Sequence, residues 1–141
     1  MTITVGRSIS RIDAVAKVKG EAVYPGDIQM PGMAFMKILF ANRPHAIIRH
    51  IDTTKAEALA GVLCVLTAKD VPNNEYGLIS PDQPVLCGPG SNKPFADRVR
   101  FVGDQVALVI AESEAVATKA LSLIEVAYED LPVVSDPLAA M

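Results

Sequence analysis

Few residues of this 141-residue chain have the type and spacing that catalysis or metal binding requires. His45 and His50 are close in sequence, but they lack the i, i+4 spacing on a long helix that holds zinc, and no cysteine pair stands near them. Cys64 and Cys87 form no C-x-x-C motif, so the chain alone offers neither a redox pair nor a set of iron-sulfur ligands. We therefore predict no catalytic, no cofactor-binding and no metal-binding residue within the chain itself.

Two further patterns are weak as candidates for chemistry. The segment Gly88-Pro89-Gly90-Ser91-Asn92-Lys93 is glycine-rich, but it lacks the Gly-Lys-Ser/Thr ending of a phosphate-binding loop and joins no predicted strand to a helix. Glu129 and Asp130 are neighbours on a predicted strand, where successive side chains point to opposite faces, so they are poor partners for acid-base catalysis. Glu129 is instead expected to anchor a backbone N–H or to cap the turn at Pro132.

The composition argues against nucleic acid and membranes as binding partners of the chain. A formal net charge of -3 argues against a basic surface for nucleic acid, so nucleic acid is not an expected partner. Half of the residues are hydrophobic and only 21% are charged, which fits a surface partly covered by something else. No apolar stretch predicts a membrane span and the first residues lack the apolar core of a signal peptide. Two isolated thiols fit a reducing compartment, so the cytoplasm is the expected location and no membrane is an expected partner.

The region from residue 101 to 134 predicts a strand, a helix and a second strand. The uninterrupted apolar run Val106–Ala111 is typical of a central strand that is covered on both faces. Ser113 is a helix cap, and Ala117, Ala120, Leu121 and Ile124 follow at helical spacing. Alternation from Ile124 to Glu129 then predicts a strand with one buried face.

A similar order of elements is predicted earlier in the chain. Residues 1–33 read as an extended N-terminal arm, and a strand begins after Ala34. A second strand, Ala46–Ile51, precedes a short helix that ends at Gly61 and has three candidate caps, Asp52, Thr53 and Thr54. The apolar run Val62–Leu66 is then interpreted as another buried strand. The sequence therefore predicts two β-α-β units in one domain, 34–141, that follows the arm, with a core that combines Val106, Leu108, Val109 and Ile110 with Val62, Val65 and Leu66.

The two units are joined by a long segment, Pro72–Asp97, that is rich in proline and glycine and has little periodicity. Uninterrupted loops of this length in compact domains usually contact a ligand or partner, or are disordered. We therefore expect contacts with a ligand or partner here first, and a tolerated surface insertion is the alternative.

In this order and spacing, the residues resemble the N-terminal α/β hammerhead domain of the molybdopterin-binding subunit of the xanthine dehydrogenase and aldehyde oxidase family, the molybdenum hydroxylases. The resemblance extends over almost the whole chain. In the arm and the first unit the matching positions are Val5-Gly6, Arg11, Asp13-Ala14, Lys17-Val18, Gly20, Tyr24, Asp27-Ile28, Pro31-Gly32-Met33, His45-Ala46, Ile48, Ile51-Asp52 and Ala56 through Gly61-Val62. In the rest of the chain they are Thr67-Ala68, Asp70-Val71-Pro72, Val102-Gly103, Val106-Ala107, Val109, Ala111-Glu112, Ile124, Val126, Tyr128-Glu129 and Leu131-Pro132.

The resemblance implies an α+β hammerhead fold in enzymes that hydroxylate aromatic heterocycles or oxidise aldehydes with oxygen derived from water. In such enzymes electrons leave the molybdenum through iron-sulfur clusters, commonly to FAD, and the molybdopterin loops and catalytic glutamate lie in domains that follow the hammerhead. The chain is therefore expected to bind none of these cofactors alone, to be inactive alone, and to be a split subunit, an excised domain or a remnant. Its implied partners are the molybdopterin-binding domains or subunit of the same enzyme, together with iron-sulfur and FAD subunits.

One pair of residues receives a role from the resemblance. In related enzymes bulky apolar residues on the long loop line the entrance to the molybdenum site, and Leu78 and Ile79 stand at about that place. The alternative is that both side chains pin the loop to its own core. A different class of function, a stand-alone module that binds a small ligand with this loop, also remains open.

Overall fold

The computed structural model describes residues 5–141, and the chain divides into two compact units, Met1–Met33 and Ala34–Met141. Among the described residues, no helix has the length and apolar character needed to cross a membrane. The predicted arm begins at Met1, but its residues 1–4 lie outside the described range.

The first unit contains a helix where the sequence predicted extended chain. Helix α1 spans Ala14–Lys19, and a single 3₁₀ turn follows at Pro25–Asp27. The prediction of an extended arm is therefore wrong at these positions. Asp13 forms an ion pair with Lys17 one helical turn later, and Gly20 ends the helix with a left-handed φ of 72°.

The second unit is built from two three-stranded antiparallel sheets and two short helices. Sheet A has the order β1-β5-β3, and sheet B has the order β4-β2-β6. The strands are β1 (Phe35–Phe40), β2 (Ala46–Asp52), β3 (Val62–Thr67), β4 (Arg98–Val99), β5 (Gln105–Ala111) and β6 (Glu125–Asp130), and the helices are α2 (Thr54–Glu57) and α3 (Glu114–Leu121). The α+β prediction and the central position of β5 are confirmed.

Both predicted β-α-β units are present, as β2-α2-β3 and β5-α3-β6. In the structure the two strands of each unit belong to different sheets. β3 and β5 lie in sheet A, β2 and β6 lie in sheet B, and all pairings are antiparallel. Helix α2 is shorter than predicted and ends at Glu57 instead of near Gly61. Its start is held by Asp52 Oδ1, which accepts from the Thr54 N–H at 3.0 Å.

Helix α3 covers one face of sheet A. As predicted, the Ser113 side chain caps it by accepting from the Val116 N–H at 3.3 Å. Ala117 and Ala120 are buried, and their small side chains let the helix pack closely on the strands of the sheet. This interface forms the first hydrophobic cluster, which includes Val109 of β5.

A second hydrophobic cluster contains Ile48 of β2, Val99 of β4 and Val106 of β5. The predicted core is therefore correct for Val106 and Val109, which are fully buried. It is correct in part for Val62 and Val65, which are partly buried and pack against the first cluster. It is wrong for Leu66, Leu108 and Ile110, which are partly buried and pack against neither cluster of the described residues. The reason is that α3 covers only one face of sheet A and that β3 is an edge strand, with Cys64 exposed.

Candidate functional site

The long loop between β3 and β4 folds back on itself. Tyr76 and Gln83 form an isolated antiparallel bridge, in which the Tyr76 N–H donates to the Gln83 carbonyl at 2.8 Å and the Gln83 N–H donates back at 3.1 Å. This pair closes a six-residue excursion, 77–82, which we call the loop tip. The tip is therefore a defined structure and not a featureless connection.

A lysine holds the two sides of this excursion together. Lys93 Nζ donates to the Glu75 carboxylate at 3.0 Å and to the Pro81 carbonyl at 3.2 Å. The Lys93 side chain is only 14% exposed, so these contacts are shielded more than a surface ion pair is. Lys93 thereby links the chain before the loop tip, at Glu75, to Pro81 near its end.

The first residue of the loop tip has to be glycine. A Cβ atom on Gly77 would lie 1.8 Å from the Ser80 carbonyl oxygen, which no real side chain could occupy without moving the backbone. The backbone at Gly77 and Ser80 thus approaches closely, with Leu78 and Ile79 in the turn between them. Both side chains are fully exposed.

A buried asparagine anchors the base of the loop. Asn74 Nδ2 donates to the Leu86 carbonyl and to Ser91 Oγ, each at 2.8 Å, and Asn74 Oδ1 accepts from the Leu86 N–H at 2.9 Å. Next in the chain, the Cys87 N–H donates to the carbonyl of Gln105 at 2.6 Å. The loop is thus tied through Leu86 and Cys87 to β5, the central strand of sheet A.

The positions of Leu78 and Ile79 bear on the two roles considered for them. They do not pin the loop to its own core, because both are fully exposed and neither belongs to a hydrophobic cluster of the described residues. They line a shallow hollow of about 540 Å³ together with Tyr76 and Gln83. Two branched apolar side chains presented to solvent on a braced turn are suited to contact another molecule.

A larger cleft of about 620 Å³ lies beside the loop tip. Its walls come from the loop residues 82–85 and from the turn that leads into β5, including Arg100 and Asp104. Asp104 Oδ2 accepts from the backbone N–H groups of Arg100 and Phe101, at 2.7 and 3.1 Å, so its carboxylate holds the turn together. The cleft therefore combines charged and apolar walls without an arrangement of nucleophile and base.

Cys87 lines the same cleft but is not a reactive nucleophile. Burial, with a smaller contribution from the nearby Asp104 carboxylate, raises the pKa of its thiol from 9.0 to about 12. The thiol therefore stays protonated at neutral pH, and the thiolate is the form that reacts.

This difference between the two cysteines gives a labelling prediction. We expect Cys64, which is exposed, to react with a thiol reagent at pH 7.5 at least tenfold faster than buried Cys87. Mass spectrometry of the intact chain over time measures both rates, and the Cys64→Ser variant reports Cys87 alone. Equal rates in the native chain, with both thiols labelled equally fast after denaturation, would contradict the burial of Cys87.

The remaining candidates of the sequence have structural roles. His45 Nδ1 lies 2.9 Å from the Pro132 carbonyl, and His50 is exposed on β2. Glu129 was expected to anchor a backbone N–H or to cap the turn at Pro132, and instead its carboxylate accepts from Arg49 on the neighbouring strand at 2.6 Å. Within residues 5–141 no three His, Cys, Asp or Glu side chains are grouped as metal ligands would be.

The glycine-rich segment 88–93 is also occupied by internal contacts. Ser91 Oγ accepts from Asn74, Asn92 Nδ2 donates to the Pro72 carbonyl at 2.9 Å, and Lys93 holds the loop tip. These three side chains therefore brace the loop through hydrogen bonds within the chain. The bracing roles of Asn74 and Lys93 were not predicted, because no residue spacing indicates a contact that depends on how an irregular loop folds.

Comparison with known proteins identifies the domain. Residues 19–132 match the family model described as aldehyde oxidase and xanthine dehydrogenase, a/b hammerhead domain. A probable xanthine dehydrogenase subunit of Bacillus subtilis (strain 168) is 46% identical over 132 residues, which cover 93% of this chain and 17% of that protein. The carbon monoxide dehydrogenase large chain of Afipia carboxidovorans (strain ATCC 49405 / DSM 1227 / KCTC 32145 / OM5) is 39% identical, over 93% of this chain and 16% of that protein.

A solved structure shows the same fold. The crystal structure of a Cu,Mo-CO dehydrogenase in its carbon monoxide reduced state superposes with a TM-score of 0.83 and 36% identity, over 96% of this chain and 17% of that one. The chain thus spans less than a fifth of the length of these relatives. On the match of residues 19–132 and these likenesses, the chain belongs to the aldehyde oxidase and xanthine dehydrogenase family, as its α/β hammerhead domain.

Proposed function

We propose that this chain is the hammerhead part of a molybdenum hydroxylase, that it packs on the molybdopterin-binding domains, and that it helps to shape the substrate channel. Residues 34–141 would form the hammerhead domain proper, and residues 1–33 an N-terminal arm. The observation that carries the proposal is the braced loop tip, which presents Leu78 and Ile79 fully to solvent. A domain of this family with exposed apolar side chains on a fixed turn is suited to supply part of a wall that other domains complete.

The chemistry belongs to the assembled enzyme and not to this chain. We propose that molybdopterin with its molybdenum is held by other domains, with iron-sulfur clusters and FAD on further subunits, and that this chain alone is inactive. Two free cysteines, Cys64 and Cys87, fit a reducing compartment, so we place the enzyme in the cytoplasm. The residues of this chain bind no reacting atom. Leu78 and Ile79 would exclude water and position an aromatic or aldehyde substrate by contact.

The assembly is tested by purifying the tagged chain from its host. We expect it to retain a larger polypeptide, with molybdenum measured by elemental analysis and the pterin identified by its fluorescence after release. A chain that is recovered folded but without any molybdenum-containing partner would overturn the proposed function.

The role of the loop tip is tested in the assembled enzyme. The double variant Leu78→Ala, Ile79→Ala should lower kcat/KM for a bulky aromatic substrate by at least about tenfold, since even one methylene group in a hydrophobic substrate pocket is worth roughly 1–3 kcal/mol. Leu138→Ala removes an exposed leucine elsewhere in the same unit and should leave kcat/KM unchanged.

The loop-tip variant is informative because exposed side chains contribute little to folding. Its thermal midpoint should match that of the wild type. Unchanged kcat and KM for both small and bulky substrates, in an enzyme that assembles normally, would remove Leu78 and Ile79 from the channel.

The cleft of about 620 Å³ favours a second function, a stand-alone module that binds a small ligand. Arg100 and Asp104 would give this cleft polar groups that orient a ligand. The two functions are separated by one measurement. A thermal midpoint of the isolated chain that rises with a metabolite, in a chain without a molybdenum-containing partner, would favour the second.

A further inference from the structure

The outer face of sheet A, opposite α3, is made of six apolar side chains in two rows across the sheet. The register of the strands aligns Ile38, Leu108 and Leu66 in one row, and Met36, Ile110 and Cys64 in the next. Paired residues of neighbouring strands point to the same side of a sheet, so all six share one face. We call this surface the outer apolar face, and none of its six residues is charged.

The outer apolar face is only partly covered by residues 34–141. Helix α3 lies on the other side of sheet A, where Val109 and Val65 pack into the first hydrophobic cluster. None of the six side chains packs against either hydrophobic cluster of the described residues. Met36 is 56% exposed, Cys64 is exposed, and the other four are only partly buried.

The outer face of sheet B differs from the outer apolar face because it carries charged side chains. Its outer face carries Arg49 in an ion pair with Glu129, while Lys55 of α2 pairs with Glu125 of β6. The central strand of sheet A, by contrast, is apolar on both sides, which is the composition of a strand that is covered on both faces. The structure covers the α3 side, and on the opposite side it buries Val106 against sheet B but leaves Leu108 and Ile110 only partly buried. The sequence of β5 is therefore consistent with a further cover over that part of the face.

From this we infer that the outer apolar face is the surface on which the molybdopterin-binding region of a molybdenum hydroxylase packs, an inference that rests on the proposed function. In the CO dehydrogenase structure the same fold makes up 17% of a longer chain, so in that relative further polypeptide is attached and close at hand. A flat surface without charges selects an apolar partner surface, since burying an unpaired charge against it would be costly. A second copy of this chain is the competing occupant, and the experiment distinguishes the two.

The test is made on the tagged full chain purified from its host with the molybdenum-containing polypeptide that it retains. Met36→Lys places a charge on the outer apolar face and should reduce the amount of that polypeptide retained per chain at least fivefold. The matched control is Ala127→Lys, which places the same charge on an exposed position of sheet B and should retain as much as the wild type. Both positions are exposed, so both variants should keep the wild-type thermal midpoint.

Cys64 provides a second readout on the unmodified surface. We expect its labelling rate to fall at least tenfold when the molybdenum-containing polypeptide is bound, and to return when that polypeptide is removed. Full retention by Met36→Lys together with unchanged Cys64 labelling would overturn the inference and leave the proposed function standing. A wild type that retains no molybdenum-containing polypeptide would overturn both. A wild-type dimer that Met36→Lys makes monomeric would assign the face to a second copy instead.

Discussion

Replacing Asn74 with alanine is expected to lower the free energy of unfolding by about 2–4 kcal/mol. The side chain is fully buried and makes three hydrogen bonds, two of them to the backbone of Leu86, which is itself fully buried. Without the amide, the Leu86 N–H and carbonyl are left without partners in a site that water does not reach. Leaving each such group unsatisfied costs about 1–3 kcal/mol, which is why the expected loss is large for one side chain.

Urea unfolding measures this loss, and Asn73→Ala is the matched control. Asn73 is the same residue type at the preceding position but is exposed, so its replacement should change stability by less than about 0.5 kcal/mol. Hydrogen exchange gives a local check, because the Leu86 amide should lose protection in Asn74→Ala and keep it in Asn73→Ala. Equal stability of the two variants would show that Asn74 does not anchor the loop.

Five of the six described strands and the main helix were predictable because their signals are local, whereas the two-residue strand β4 was not predicted. The apolar run of β5, the cap at Ser113 and the alternation of β6 depend on a few neighbouring residues, and the structure has each of them where the sequence indicated. The assignment of strands to sheets was not predictable in the same way. β5 and β6 flank one helix but pair in different sheets, and that choice depends on partners that are distant in the sequence.

The extent of burial was predicted less well, and for a physical reason. An apolar run such as Val62–Leu66 predicts that a strand is buried, but it does not indicate whether the residues that bury it belong to the same chain. In this structure Cys64 is exposed, and its neighbours on the outer apolar face are exposed or only partly buried. The difference between the predicted and the observed core is therefore itself the observation that supports a docking surface.

The candidate site was also predictable only in part. The resemblance supplied the place of Leu78 and Ile79 on the loop, whereas the features that make the loop tip rigid could not be foreseen. Lys93 contacts Glu75 and Pro81 across a fold of the chain, and nothing in the spacing of these residues indicates that they meet. Irregular loops are specified by such individual contacts, so their geometry becomes visible only in three dimensions.

Truncation of Ile48 to alanine is expected to lower the free energy of unfolding by about 2–5 kcal/mol, the range for a buried Ile→Ala change. Ile48 lies in β2, the central strand of sheet B, and is 1% exposed. It packs in the second hydrophobic cluster with Val99 and Val106, and Val106 belongs to sheet A. The side chain therefore joins the two sheets, and the cavity left by its removal would lie between them, where neither sheet can easily move inward.

Ile47→Ala is the control that isolates this effect, since it removes the same atoms from the adjacent position of the same strand. Ile47 pairs with Glu129 on the outer face of sheet B, is only partly buried and belongs to neither hydrophobic cluster of the described residues. We expect its truncation to cost less than half as much in urea unfolding. If the two variants lost equal stability, the register that turns Ile48 inward would be wrong. An error of one residue in that register would exchange the faces of sheet B and place Arg49 and Glu129 in its core, where their charges could not be solvated.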